Sequence, residues 1–284
     1  MAGLRQEPTA RQLRLGVELR RLRDAAGLTG REAAASLGVN SSQINHIESG
    51  LTGVSEERLR RLAANYACTS EELISALVGM ATSRTKGWWE DYRGSLPTPF
   101  LDLAELEHHA TFLQEVQFLY IPGPLQTEGY ARSIFSDRIP ELLSSELELR
   151  VRHRMQRKAI LEGPDPAPYE AVIHEAALHI RIGDRPASRT QLSALLDASE
   201  TEHITVRVIP FDLDGFGGSW TAMMLAGGTV PRLDTVVRDG PHGAMFIDSE
   251  AQLGVFRTLF RRVETASLGP ERSRELIHKL AKEL

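Results

Sequence analysis

The sequence predicts two folding units of different class: an all-α N-terminal domain of five short helices over residues 1–80, and a larger α+β domain over residues 88–284, joined by a linker at 81–87. Three observations predict it. Helical periodicity with repeated stop signals runs from Gln12 to Gly79. Beyond it, runs such as Ile204–Pro210 alternate in the manner of strands. Between the two, small and polar residues cluster at Met80–Gly87. A chain of 284 residues is long enough for each part to bury its own core.

The helices follow in order. Leu15, Leu19, Leu22 and Ala26 form one apolar stripe, with Gly27 placed as a C-terminal stop. Thr29 and Glu32 make a capping pair for a second helix that turns Ala33, Ala34 and Leu37 inward and stops at Gly38. Asn40 caps a third, ending near Gly50, with Ile44 and Ile47 on one face and Ser41, Ser42, Asn45 and His46 on another. Ser55 opens the fourth helix, and Thr69 with Glu72 the fifth.

In the second domain, helices are expected at Trp88–Arg93, Leu101–His109, Ser145–Leu161, Gln191–Ala198, Glu250–Glu264 and Pro270–Lys282. Strands are expected at Leu113–Tyr120, Tyr169–Ile173, Ile204–Pro210, Trp220–Ala226 and Asp234–Arg238.

Composition excludes several classes. With 42% hydrophobic and 25% charged residues, neither a disordered nor a fibrous chain is favoured. The single Cys68 cannot close an internal disulfide, which suits a reducing compartment. No signal-peptide core opens the chain, and the longest uncharged run, Gly215–Pro231, carries five glycines and is too short to span a bilayer. A cytoplasmic protein with no membrane association is expected. The net charge of −5 argues against coating nucleic acid along the whole chain.

Locally the balance reverses. Residues 1–31 hold seven arginines against Glu7, Glu18 and Asp24. Such a basic segment beside a short helix with a polar outer face suits a helix-turn-helix, whose second helix enters the major groove while cations hold phosphates. Gly38 permits the tight turn between the two helices. The expected base-reading residues are Asn40, Ser41, Ser42, Gln43, Asn45 and His46, and the expected phosphate contacts are Arg11, Arg14 and Arg31. A helical bundle with a solvated polar face would produce much of the same pattern.

Resemblance adds to this reading. Leu19-Arg20-Arg21-Leu22-Arg23, Ala25-Ala26-Gly27-Leu28-Thr29, Leu37-Gly38-Val39 and Ile44 through Gly50 make the segment 15–73 similar to the lambda-repressor-like, xenobiotic-response-element type of helix-turn-helix domain. That family commonly places a phosphate-binding glutamine after the threonine, where this chain has Gly30. Glu48 resembles the family's structural acid.

In the second domain, Ile121-Pro122-Gly123-Pro124-Leu125-Gln126-Thr127-Glu128-Gly129-Tyr130-Ala131-Arg132 resembles a motif of actinobacterial, WhiJ-like regulators, as do Arg150–Leu161, His174–Leu178, Val206–Phe211 and Ala266–Ile277. Pro124 and Lys158 replace the leucine and glutamine expected there. The resemblance implies an antitoxin-like regulator encoded beside a small partner protein, and no established ligand.

Enzyme readings find little support. His174-Glu175 with His179 places the second histidine five residues after the first, where a zinc-protease helix needs it four after. Gly215, Gly217 and Gly218 lack the lysine and helix start of a phosphate loop. No catalytic residue, metal site or cofactor is therefore expected. The leading function is a dimeric regulator that binds double-stranded operator DNA and carries a protein-interaction domain. The alternatives are a small-molecule-responsive repressor, with Trp88, Trp89 and Trp220 as pocket walls, and an enzyme fused to a DNA-binding module.

Overall fold

A computed structural model of the chain describes residues 8–83, 87–214, 221–240 and 243–284. The chain divides into two compact units, Met1–Gly87 and Trp88–Leu284.

The first unit contains α1 (Ala10–Ala25), α2 (Gly30–Leu37), α3 (Ser41–Glu48), α4 (Glu56–Asn65) and α5 (Glu71–Thr82). Each helix starts on a side chain that accepts from an otherwise unpaired backbone N–H: Thr9, Thr29, Asn40, Ser55 and Ser70. The first three complete reciprocal capping boxes with Gln12, Glu32 and Gln43. The fifth corrects the expected Thr69–Glu72 pair: Ser70 is the cap, which lets Leu73, Ile74 and Leu77 face inward. Ala26, read as part of the apolar stripe, is instead exposed at the C-cap of α1.

Leu19, Ile44, Leu59, Leu62 and Leu77 are fully buried and form the centre of this unit. Gly38 closes α2 in the left-handed region at φ 67°, so the cap of the next helix, Asn40, can follow two residues later. Gly16 lets α1 lie directly against the end of α3. A Cβ there would sit 2.4 Å from the Glu48 carbonyl oxygen, closer than any side chain can approach.

The second unit is a six-stranded mixed sheet with helices on both faces. Its elements are a 3₁₀ turn (Trp88–Tyr92), α6 (Thr98–His109), β1 (Phe112–Gln117), α7 (Glu128–Ser136), α8 (Ser144–Gln156), α9 (Ala159–Glu162), β2 (Tyr169–His174), α10 (Glu175–His179), α11 (Arg185–Ala198), β3 (Ile204–Ile209), β4 (Met223–Gly227), β5 (Thr235–Gly240), β6 (Gly243–Ile247), α12 (Glu250–Ala266) and α13 (Pro270–Glu283). Strand order is β3-β2-β1-β4-β5-β6. β1, β2 and β3 run parallel, while β4, β5 and β6 continue the sheet antiparallel.

Both faces of the sheet are covered, and the central strands accordingly read as near-continuous apolar runs such as Ala171-Val172-Ile173. On one face Ile173, Val206 and Val208 meet Leu192, Leu195, Ile277 and Leu280 of α11 and α13. On the other, Val116, Val172, Ile209 and Val236 meet Leu253, Phe256, Phe260 and Val263 of α12.

Three expectations change. The helix expected over Trp88–Arg93 is a 3₁₀ turn that buries Trp89 and Tyr92 against Leu101 and Ala104. The single helix expected over Ser145–Leu161 is broken after Gln156, where the Lys158 and Leu161 N–H groups bond three residues back, to Met155 and Lys158. Strand β6 had no expected counterpart; it is short, begins at a glycine and leaves Met245 half exposed at the sheet edge.

Candidate nucleic-acid interface

Helix α3 separates its two faces cleanly. Ile44 and Ile47 are buried, while Ser42, Gln43, Asn45 and His46 are exposed and Ser41 is half-buried. Asn40 is exposed and serves the cap: its Oδ1 accepts from the Gln43 N–H at 2.9 Å, and Gln43 Oε1 accepts from the Asn40 N–H at 3.3 Å. These two side chains thus start the helix, and Ser42, Asn45 and His46 are left as its outward polar surface. Neighbouring Gly30 adds no side chain beside Asn45, whose Oδ1 would lie 3.7 Å from a Cβ at that position.

The basic segment is less available than its composition implies. Arg14 is buried and paired with Glu18 at 3.3 Å, and Arg21 reaches the same carboxylate at 2.5 Å. Arg14, expected as a phosphate contact, thus has its guanidinium buried against Glu18 in this structure. Arg20 pairs with Asp24, whereas Arg31 is exposed on α2 and Arg11 is half-buried on α1. Arg5 lies outside the described residues.

Glu48 holds α3 in place. Its carboxylate receives two hydrogen bonds from Arg23, from Nε at 2.6 Å and Nη2 at 2.9 Å, while Arg23 Nη1 donates to the Leu28 carbonyl at 2.7 Å. This fork joins α1, the turn before α2 and the last turn of α3. The pair raises the Arg23 pKa above its ordinary value, and burial with the nearby Glu48 charge pushes the Tyr66 hydroxyl up to about 12.

The second unit contains a cavity of about 700 Å³ lined by residues of α6, α7, α8 and the sheet. Of the tryptophans expected as pocket walls, the two among the described residues, Trp88 and Trp89, do not line it. Trp89 is buried in its own aromatic cluster, Trp88 borders a smaller hollow of about 210 Å³, and Trp220 lies outside the described residues. The charged lining includes Arg150, Arg154 and Arg157 from the α8 side, Glu115 of β1, and the exposed Asp137, Arg138 and Asp239. Sequence reading grouped Arg150–Leu161 and Gln126 only as matching stretches; that they converge is a property of the fold.

The Ile121–Arg132 motif is a built turn. Tyr130 Oη accepts from the Ile121 N–H, Gln126 Nε2 donates to the Ile121 carbonyl, and Gln191 Oε1 accepts from the Thr127 N–H. A Cβ on Gly123 would lie 3.1 Å from the Arg157 guanidinium, so the glycine makes room for that side chain. Elsewhere, His174 Nδ1 accepts from the Ala176 N–H as the cap of α10, and His179 pairs with Glu175 at 3.2 Å.

Among the described residues no helix is long and apolar enough to cross a membrane. Comparison with curated proteins and with solved structures gave no match. Two family models match the chain: one described as a helix-turn-helix domain, over residues 14–77, and one described as a domain of unknown function (DUF5753), over residues 100–279. The first unit is therefore a helix-turn-helix domain of the kind that points to a DNA-binding regulator, and the chain as a whole belongs to the DUF5753 family.

Proposed function

We propose that this protein is a cytoplasmic, sequence-specific transcriptional regulator of the lambda-repressor-like, xenobiotic-response-element type, which binds double-stranded operator DNA as a homodimer and has no catalytic activity. One observation carries the DNA reading: α3 presents Ser42, Asn45 and His46 outward from a helix anchored by the Arg23–Glu48 fork. A rigid helix with short polar side chains is what base reading in the major groove requires. Dimerisation supplies the second half-site, about 34 Å away or a multiple of that distance.

Replacing His46 by alanine is expected to relax base preference at one position of the operator. Arg31→Ala is expected to weaken every duplex alike and to reduce the salt slope of binding by about one unit. Binding titrations on an operator and its single-base variants, at two salt concentrations, check both. Unchanged discrimination by the His46 variant would remove His46 from the reading face.

The second unit is an antitoxin-like interaction domain in this proposal, supported by the similarity of 121–132 and the later segments to WhiJ-like regulators. Its partner is a small protein encoded by a neighbouring gene. By linkage, operator DNA changes partner affinity by the same factor as the partner changes operator affinity. Titrating the neighbouring gene's product into the full chain with and without operator DNA is expected to give two different affinities. Equal affinities, or no binding, would favour the second reading, a small-molecule-responsive repressor, for which the 700 Å³ cavity speaks.

A further inference from the structure

The cavity in the second unit has the size and make-up of a ligand site. Its volume of about 700 Å³ falls within the usual range for small-molecule pockets. Most of its wall is apolar, including Phe100, Leu103, Ile134, Phe135, Met224 and Val237. Charged and polar side chains make up the rest of the lining, and their state of pairing differs sharply.

Two of the three arginines on the α8 side are already neutralised. Arg157 is held by Glu107 through hydrogen bonds of 2.8 and 2.5 Å, and Arg150 by Glu146 at 2.6 Å. Arg154 differs. Its Nη1 donates to Gln126 Oε1 at 2.6 Å and its guanidinium lies 5.0 Å from the Phe135 ring centre, but among the described residues no carboxylate forms an ion pair with it. Gln126 is only 2% exposed and is fixed by its own bond to the Ile121 carbonyl, so the neutral partner of Arg154 is held in place.

Glu115 also lines the cavity but is committed elsewhere, accepting from Tyr169 Oη at 2.5 Å and from Gln117 Nε2 at 2.8 Å. Asp137, Arg138 and Asp239 lie at the exposed part of the lining. Burial first, and then the neighbouring Arg157 charge, lower the Arg154 pKa to about 10 against the opposing pull of Asp239, Glu107 and Glu115.

A second observation is independent of the first. His153, 1% exposed and also lining the cavity, has an Nε2 without a hydrogen-bond partner. Burial and the adjacent arginines depress its pKa to about 3, so the ring is neutral. A buried polar atom left unpaired costs about 1–3 kcal/mol and is expected to meet a complementary group.

We propose that this cavity binds a small organic monoanion, a carboxylate on a largely apolar body, with Arg154 pairing the carboxylate and His153 meeting a polar group of the same ligand. A single negative charge matches Arg154, the one arginine of the inner wall without a carboxylate partner among the described residues; Arg138 also lines the cavity but is exposed, as Asp137 and Asp239 are. A phosphate dianion would leave a surplus charge in an apolar pocket. The inference names the ligand class for the small-molecule reading above and does not depend on DNA contact.

The test uses the full chain without DNA and a matched probe set below micellar concentration: octanoate, 1-octanol, octylammonium and inorganic phosphate. Isothermal titration is expected to show saturable octanoate binding, weaker binding of octanol, and none of octylammonium or phosphate. Arg154→Gln is expected to weaken octanoate binding roughly 30-fold or more while leaving octanol affinity unchanged. Retention of octanol binding and of the far-ultraviolet circular dichroism spectrum shows that the variant is folded. Should the Gln variant lose its fold, Arg154→Lys keeps the charge and is expected to keep octanoate selectivity over octylammonium.

The proposal is overturned if octanoate shows no saturable binding at millimolar concentration, if octylammonium or octanol binds as well, or if the folded Gln variant binds octanoate like the parent. Operator affinity measured with and without saturating octanoate then separates the two readings. A change supports ligand-responsive regulation; no change refutes that regulation while the binding result stands.

Discussion

Glu48→Ala is expected to destabilise the first unit by about 3–5 kcal/mol, because it leaves the Arg23 guanidinium buried without its counter-charge. Both side chains are about nine-tenths buried, at 10% and 8% exposure, so solvent screening offers little relief. A domain of this size is stable by only about 5–15 kcal/mol in total, so the loss takes a large share. The same substitution releases the last turn of α3 from α1, and operator affinity is expected to fall for all sequences together, without the selective change expected of His46→Ala.

The two units make the measurement specific. All three tryptophans, Trp88, Trp89 and Trp220, lie beyond residue 87, so tryptophan fluorescence follows only the second unit. Urea unfolding by circular dichroism is expected to show an early helical transition in the Glu48 variant while the fluorescence midpoint stays fixed. Coincident movement of both signals would show that the pair supports more than the first unit. Arg23→Met with Glu48→Leu is expected to recover part of the loss, since apolar replacement of both partners removes the stranded charge.

Glu107→Ala is expected to act as strongly on the second unit. Glu107 is 2% exposed and carries both hydrogen bonds to Arg157, itself 8% exposed. Without it, Arg157 joins Arg154 as a second arginine of the inner cavity wall without a carboxylate partner. The expected cost is again about 3–5 kcal/mol, read as a shift of the fluorescence transition with the first-unit transition unchanged. Glu107→Gln retains acceptor and shape while losing charge, so it should fall between the parent and the alanine variant. An alanine variant unfolding within 1 kcal/mol of the parent, about a fivefold change in the folding constant, would show that Arg157 finds another partner.

Much of the first unit was decided by local chemistry and could be read directly. Thr29 with Glu32 and Asn40 with Gln43 sit one helical turn apart, and Gly38 needs a positive φ, so helix starts and the turn follow from neighbours in sequence. The polar face of α3 is equally a matter of spacing along one helix. Choosing between Thr69 and Ser70 as a cap was not, because each offers an oxygen at a suitable distance and only the burial of Leu73, Ile74 and Leu77 selects the register.

Tertiary structure decided which charges are available. Along the sequence Arg14 and Arg31 are both basic residues near a reading helix; in the fold the first is buried on Glu18 and the second is exposed. Likewise Glu107 and Arg157 are 50 residues apart, and Gln126 and Arg154 are 28 apart, distances over which no helical or strand period carries information. The sequence by itself determined the two-unit organisation, the helix-turn-helix and most of the sheet strands, because those rest on periodicity and caps. The pairing of Arg157, the unpaired state of Arg154 and the cavity they line arose only when the sheet brought α6, α8 and the Ile121–Thr127 turn together, since Coulomb and hydrogen-bond energies depend on distance in space and not along the chain.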